Sequence, residues 1–406
     1  MRILHVTHVV HPSAGGPPAV AIHLAAAQAR LGHEVQILGH CPVGGLEQAS
    51  AMIQQVPFPV SLPHRLLPLR KGIRALPNLP FRKAARTSLR ETDILVAHGM
   101  WETSIIHSTL AAQRMGVPYC LRPAGTLDPW SLDQKRLKKS LSIALLHGRL
   151  LRDAAFIHAT SDEEARNVRN LLRSLRISTP VHIIPNGIFL RDIENLPPRG
   201  DFYARHQELD GKPYILFLGR LHHKKRPDLL LQAFAALGEP FSEFRLVLAG
   251  PDAGQTARLR ALAGQLGVAH RVHLTGPIYG HQRFSAFVDA ACFCLPSHQE
   301  NFGIAVVEAM ASATPVVISD QVQIWPEIVE AGAGLACELS VDALAGALRR
   351  VLGAESARAS MGRAGQAFAR REYLWRDIGH RSTDIYMQYL PRTAAIDSCA
   401  ALTVSP

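Results

Sequence analysis

The residues best placed to do chemistry lie at 296–310, PSHQENFGIAVVEAM. Glu300 stands just before a helical run and Glu308 stands within it. Asn301, Phe302 and Gly303 turn the chain from the apolar run ACFCLP into that helix, and Ile304 opens it. Backbone N–H groups at a helix start have no intrahelical acceptor and favour an anion such as a diphosphate. Gly303 lets a phosphate approach the backbone closely. Two carboxylates beside a diphosphate repel it unless each is aimed at hydroxyl groups, and a ribose or another sugar supplies those. From spacing alone, a capping acid and a helix-surface acid account for the pair more readily.

Arg220 and Lys225 follow the apolar run PYILFLG, in GRLHHKKRPD. An Arg at the carboxyl end of a strand and a Lys five residues on can both reach a pyrophosphate and offset its charge as a bond to it breaks. A basic surface loop is the plain alternative, and Lys224 is the neighbouring residue set aside. Gly15 and Gly16 follow the first strand in PSAGGPP, without the GxGxxG spacing. With Pro17 and Pro18 opening a helix, they either admit a phosphate or sugar to backbone amides or make a tight turn. His98 ends the run TDILVAH, where it can contact a substrate hydroxyl or act near a second substrate. A hydrogen-bonded structural histidine is the alternative. The chain has 20 histidines, so a single one carries little weight. His222, His223 and His298 lie near the same loops without metal-ligand spacing, and no GxSxG, Walker A or HExxH motif is present.

These loops need strands to hold them. ILHVTHVV, a glycine turn, AVAIHLAAAQARLG and GHEVQILG form a strand–loop–helix–strand unit, and TDILVAHG, GVPYCLRPAG, AAFIHATS and VHIIPNG continue the pattern. The last ends in Asn-Gly, a turn signal. A polar stretch within 188–211 precedes a restart: PYILFLG, DLLLQAFAALG, FRLVLAG, RVHLTG, ACFCLPS, IAVVEAMASA and TPVVISD. This spacing predicts an α/β protein of two Rossmann-like domains facing across a cleft. In such sheets ligands bind beyond the carboxyl ends of the strands. The expected divisions are 1–190, completed by about 372–390, then 191–371, with 391–406 as a flexible tail. Residues 357–390 read as one long helix.

With 406 residues, 47% of them hydrophobic, the chain can form two or three domains with real cores. The six cysteines are sparse, and Cys292 and Cys294 in ACFCL would share one face of a strand, so reduced buried thiols are expected. MRILHVTHVV carries two histidines and runs into a Gly/Pro turn, so it reads as a first strand rather than a signal peptide. No run of about 18 apolar residues exists to span a membrane. The net charge is +11. Residues 65–90 hold eight Lys or Arg and no acid, interleaved with Leu, Ile, Pro and Phe. An ordinary solvated face, contact with anionic lipid or a lipid-linked acceptor, and nucleic acid are the three readings of that stretch. No nucleic-acid-binding motif accompanies the charge, so no nucleic-acid partner is expected.

In this order and at these separations, the motifs resemble the family 4 glycosyltransferases, retaining enzymes of the GT-B fold. The resemblance covers about residues 1–390. Glu300 to Glu308, ENFGIAVVE, is similar to the family's paired-glutamate motif. GRLHHKK resembles its phosphate-binding Arg/Lys loop, PSAGGPP its N-terminal glycine loop, and IIPNG the end of its N-terminal domain. LRPAGTLDPWSLDQKRLKK, from Leu121, resembles a segment of a polysaccharide-associated branch. That branch often has Pro-Arg-Gly where this chain has Pro123-Ala124-Gly125, leaving Arg122 one step away. Members of the family often have glycine where Ala313 stands.

The resemblance implies that Glu308 holds the ribose of a nucleotide, and that Glu300 contacts donor-sugar hydroxyls and orients the anomeric centre. Arg220 and Lys225 would bind the diphosphate with amides at Asn301, Phe302, Gly303, Ile304 and Gly16. No metal or other cofactor is implied. The implied route is front-face departure and attack, the leaving phosphate helping to deprotonate the acceptor. The last helix would cross back to the N-terminal domain. The donor would be UDP- or GDP-linked, and the acceptor a glycan or lipid-linked glycan in bacterial surface polysaccharide synthesis. The setting would be cytoplasmic, peripheral at the inner face of the plasma membrane through 65–90. The rival readings are a degenerate sugar-nucleotide binding protein of the same fold, favoured by Ala124, and a sugar-nucleotide epimerase or glycogen-type synthase.

Overall fold

The computed structural model describes residues 1–69 and 78–390. Residues 70–77, inside the basic stretch, and the expected tail 391–406 lie outside the described residues. The chain divides into two units. The first comprises Met1–Gly187 and the chain from Trp375 onward, and the second is Ile188–Leu374.

Unit one is built on strands β1 (Arg2–Val9), β2 (Glu34–Pro42), β3 (His64–Leu69), β4 (Ile94–His98), β5 (Tyr119–Arg122), β6 (Phe156–Ala159) and β7 (Val181–Ile183). Their order is β3-β2-β1-β4-β5-β6-β7, and each pairing is parallel. Parallel strands need crossover helices, which cover both faces, so the strands are apolar almost throughout. β4, Ile-Leu-Val-Ala-His, is buried at every position. One core joins Leu4, Val6, Leu95, Leu121 and Ile157 to Phe81 and Ile105 of the helices Leu79–Leu89 and Thr103–Met115. The final helix, Trp375–Met387, packs on the helix Gly16–Arg30, as expected for a C-terminal helix that returns. Small residues allow the approach: a Cβ on Gly379 would stand 3.2 Å from the Ala27 methyl.

Unit two holds β8 (Tyr214–Leu218), β9 (Arg245–Ala249), β10 (Val272–Gly276), β11 (Cys292–Leu295), β12 (Val316–Ser319) and β13 (Gly334–Cys337). The order is β10-β9-β8-β11-β12-β13, again all parallel. Tyr214, Leu216, Leu248, Phe293, Val317 and Phe234 belong to its core. Each unit is thus a Rossmann-like α/β layer structure.

In both sheets the strand order reverses once, between β1 and β4 and between β8 and β11. The loops leaving the carboxyl ends of those strands diverge to opposite sides and open a crevice for a ligand. The Gly15 loop follows β1 and His98 ends β4. Arg220 and Lys225 follow β8, and Glu300 follows β11.

Two local expectations change, and one element is new. The long helix over 357–390 is two helices, Glu355–Glu372 and Trp375–Met387. The break has a cause: Ile188 N–H donates to the Tyr373 carbonyl at 2.7 Å, and Ile188 bridges Leu374, so this backbone pairs with a second chain segment. At Asn186-Gly187 there is no turn. Gly187 is needed for space instead, because a Cβ there would come within 2.7 Å of the Trp375 ring. Finally, part of the basic stretch is the edge strand β3. Its Pro68 is tolerated because an edge position leaves one side unpaired.

Candidate active site

In unit two, three loops are tied to one another beyond the strand ends. The loop after β11 bonds to the loop after β8 through His298 N–H, which donates to the Lys224 carbonyl at 2.8 Å. It bonds to the loop after β12 through Glu300 N–H on Gln321 O at 3.1 Å and Gln323 N–H on Glu300 O at 3.0 Å. Asn301 Nδ2 donates to Gln323 Oε1 at 2.8 Å. Within this frame the Lys225 ammonium and the Glu300 carboxylate form an ion pair, both side chains largely but not wholly covered. The register of a tight turn at His223–Lys225 gives Lys225 that partner, while Lys224 contributes its carbonyl. Arg220 is exposed in the same loop.

The helix Ile304–Ala311 begins at Gly303, which has φ 75° and provides no side-chain cap. The first amides of this helix therefore keep their donors for an external acceptor. The φ favours glycine, and space requires it too: a Cβ would come within 3.1 Å of Val306 and 3.3 Å of the Glu300 side chain. Phe302 is buried, edge-on to Tyr373 at 5.4 Å, so only its backbone can meet a ligand. Ile304 opens the helix and is half-buried.

Glu308 lies one turn along that helix and is 6% exposed. Burial pushes its carboxyl above the ordinary range. Arg283 opposes the shift and Asp192 adds to it. Arg283 Nη2 meets Glu308 Oε1 at 3.1 Å. Arg283 comes from the helix Gly280–Asp289 and no sequence signal marked it. A lone Arg beside Phe284 on an amphipathic helix reads as a surface residue.

In unit one, Gly15 has φ 79° and caps the helix Gly16–Arg30 without a side-chain bond. A Cβ on Gly16 would meet nothing within 4 Å, so the protein's own packing does not require glycine there. His98 is directly bonded to His5, with His98 Nε2 and His5 Nδ1 2.9 Å apart. The tautomers follow from the chain of bonds. Gln28 Nε2 donates to Ser382 Oγ at 2.9 Å, so its Oε1 accepts from His5 Nε2–H at 2.7 Å. His5 Nδ1 is then an acceptor, His98 Nε2–H donates to it, and His98 Nδ1 is left as a buried acceptor with no protein partner. Burial holds His98 well below its ordinary value, with His5, Arg122 and His158 adding to the effect. His5 is pushed down to about 4 by burial, against the Gln28 bond. Both are neutral imidazoles. Polar residues inside apolar runs, His5 in β1 and Gln28 among alanines, were the available signal for this network.

Arg122 does not replace the missing Arg at position 124. Its guanidinium turns inward, is 3% exposed, and donates to Asn186 Oδ1. It also lies 3.3 Å from His158 Nε2, which must donate to the Ile184 carbonyl at 2.7 Å. Two donors therefore face each other, and His158 stays neutral. The loop beside Arg122 is pinned by Glu164, which accepts from Gly125 N at 2.6 Å, Thr160 N at 2.7 Å and Thr160 Oγ1 at 2.8 Å. Ala124 has φ 49° and Gly125 φ 79°, two successive left-handed residues. Among the described residues no group of three or more His, Cys, Asp or Glu side chains is arranged to hold a metal ion.

Comparison with known proteins follows the same division. The family described as "Glycosyl transferase 4-like domain" matches residues 15–187, and "Glycosyl transferases group 1" matches residues 200–368. The D-inositol 3-phosphate glycosyltransferase of Xylanimonas cellulosilytica is 33% identical over 226 residues, 53% of each chain. That of Actinosynnema mirum is 28% identical over 330 residues, 75% of each. The chain spans about half the length of the first of these relatives. Among solved structures, Anabaena HepE in complex with UDP and glucose has a TM-score of 0.75 at 18% identity, covering 95% of this chain and 99% of that one. WaaG, a glycosyltransferase involved in lipopolysaccharide biosynthesis, has a TM-score of 0.70 at 17% identity with the same coverage. These likenesses, with the two parallel sheets and the order of the motifs, make the chain a member of the family 4, group 1 glycosyltransferases of the GT-B fold.

Proposed function

We propose that this protein transfers a sugar, with retention of configuration, from a nucleoside diphosphate sugar to a hydroxyl of a glycan or lipid-linked glycan in bacterial surface polysaccharide synthesis. The observation that carries this reading is the Lys225–Glu300 pair set at the uncapped start of the helix that bears Glu308. The helix-start amides, Lys225 and Arg220 would take the diphosphate. Glu308 would accept from ribose hydroxyls and Glu300 from those of the sugar. The bond from the anomeric carbon to the phosphate oxygen breaks as the acceptor oxygen attacks from the same face. The acceptor proton passes to the departing phosphate oxygen, and the nucleoside diphosphate leaves. The UDP bound to HepE supports a uridine donor.

In unit one the amides of the Gly15–Gly16 loop would take a phosphate or a sugar, and the neutral His98 would hold a hydroxyl from the end of β4. The nucleotide donor and the free, mostly buried thiols Cys41, Cys120, Cys292, Cys294 and Cys337 suit the reducing cytoplasm. No helix among the described residues is long and apolar enough to cross a membrane. In the basic stretch, the helix Leu79–Leu89 turns Phe81, Ala84, Ala85 and Leu89 inward. Its outward cations support electrostatic contact with an anionic membrane surface. A thermal-shift and hydrolysis screen across UDP- and GDP-sugars tests the reading. Stabilisation and turnover by one donor are expected. Stabilisation without turnover would indicate a binding protein, and donor isomerisation an epimerase.

A further inference from the structure

Between β5 and β6 the chain forms the helix Arg136–Ser142, widens into π geometry over Ile143–His147, and continues as the helix Gly148–Arg152. Ile143, His147, Leu150 and Leu151 point into the unit and are buried. Lys139 also turns inward, held by Ser131 and 5.3 Å from the centre of the Trp101 ring. The outward side is unusual for a protein surface. Leu137 is 87% exposed, Leu141 61% and Leu145 76%. Spaced four apart on a helix, they make one apolar stripe. The other exposed large apolar side chains among the described residues stand singly or, at Val43 and Leu46, as a near pair.

Exposed cations flank the stripe, Lys135, Arg136, Lys138, Arg149 and Arg152, and outnumber the two exposed acids Asp133 and Asp153, the latter paired with Arg149 at 3.3 Å. A cavity of about 520 Å³ opens beside it, with Leu171, Leu175 and Ile177 among its apolar lining and Arg136, Arg149 and Arg152 among its cations. Aliphatic residues along a stripe with Lys and Arg at its margins suit a helix lying in the plane of a bilayer surface. There the leucines reach the acyl boundary and the cations meet lipid phosphates. A second copy docked by the same face would oppose cations to cations. With no aromatic side chain in the stripe, nothing there stacks on nucleic-acid bases.

We infer that the segment 135–152 is a membrane-docking surface that seats unit one on an anionic phospholipid bilayer through Leu137, Leu141 and Leu145. This is independent of the sugar-transfer reading and uses a surface distinct from the basic stretch 65–90.

Flotation of the full chain with vesicles tests it, comparing an equal mixture of phosphatidylglycerol and phosphatidylcholine with phosphatidylcholine alone. The protein should float with the mixed vesicles. The triple variant L137E/L141E/L145E should lose at least about tenfold in partitioning while keeping its melting temperature, because all three side chains already face water. The indole of L141W should shift to shorter emission wavelengths on the mixed vesicles and be quenched by brominated lipid. Equal flotation of the triple variant and the parent would overturn the inference. So would an L141W emission unmoved by vesicles, or a lipid-free dimer that the triple variant converts to a monomer.

Discussion

The Lys225 ammonium and the Glu300 carboxylate hold each other across two loops that leave adjacent strands of one sheet. On the proposed reading, a cation for phosphate and an acceptor for hydroxyls stand side by side before any ligand arrives. The pair would keep Glu300 from repelling an incoming diphosphate, and a bound donor would divide the two partners between phosphate and sugar. Removing only the charge should expose this. Glu300→Gln is expected to retain nucleotide affinity within about threefold yet lower kcat by roughly a hundredfold, since an acceptor aimed at the sugar would become partly a donor. Calorimetric binding of the nucleoside diphosphate beside steady-state kinetics checks this. An unchanged kcat contradicts it.

Glu308 gives a prediction about pH. Its carboxyl is raised above its ordinary value of 4.5 chiefly by burial. Between the ordinary and raised values the folded state binds more protons than the unfolded state, so this group lowers stability as pH rises through that window. Glu308→Gln does not titrate. The variant should therefore gain in melting temperature relative to the parent as pH is raised from about 4.5 toward neutrality, while losing donor affinity. Melting curves across that range are the measurement, and a variant that instead loses ground with rising pH refutes the assignment.

The buried histidines act in the opposite sense. His5 is pushed from 6.5 down to about 4, and His98 and His158 are likewise held well below 6.5, chiefly by burial. Over the pH range between the two His5 values the unfolded chain binds more protons than the folded one, so stability is lost as pH falls. His5 alone contributes roughly 3 kcal/mol of this dependence at about 1.4 kcal/mol per pKa unit. His5→Gln should flatten the slope of melting temperature against pH between about 6.5 and 4, whatever its effect at pH 8. A slope as steep as the parent's would exclude this origin of acid lability.

Ala313 has φ 58°, which costs an L-residue roughly 1 kcal/mol relative to glycine. Ala313→Gly should accordingly stabilise unit two by about that amount. The helix Glu355–Glu372 approaches the same turn through Gly362, where a Cβ would strike the Ala313 carbonyl. Gly→Ala within a helix ordinarily gains up to about 1 kcal/mol. Gly362→Ala should instead destabilise by roughly 2 kcal/mol or more. Chemical denaturation of both variants tests the contact through the sign of each change.

The strands were readable because parallel α/β packing writes itself as apolar runs. β4 and β11 are buried end to end, and the loops after β8 and β11 carry Arg220, Lys225 and Glu300. Edge strands were harder. β3 carries a proline and a cation, and β13 is four residues long, so neither shows a periodic signal. The end of the helix at Glu372 depends on a backbone bond to Ile188, nearly two hundred residues away in sequence, which no local pattern encodes. Arg283 and Gln28 became functional candidates only through what folding placed beside them: Glu308 in one case, His5 in the other. Ala313 shows the converse, because its departure from glycine was visible in the sequence while the reason for glycine, a left-handed backbone, was not.

On the proposed function, the loops after β8 and β11 bind and activate a nucleotide sugar. Release of nucleoside diphosphate from the donor selected by the screen, compared between the parent, Lys225→Ala and Glu300→Ala, tests it most directly. The parent should release it, and each variant should lose roughly a hundredfold or more with its melting temperature preserved. Parent-like release in both variants would contradict it.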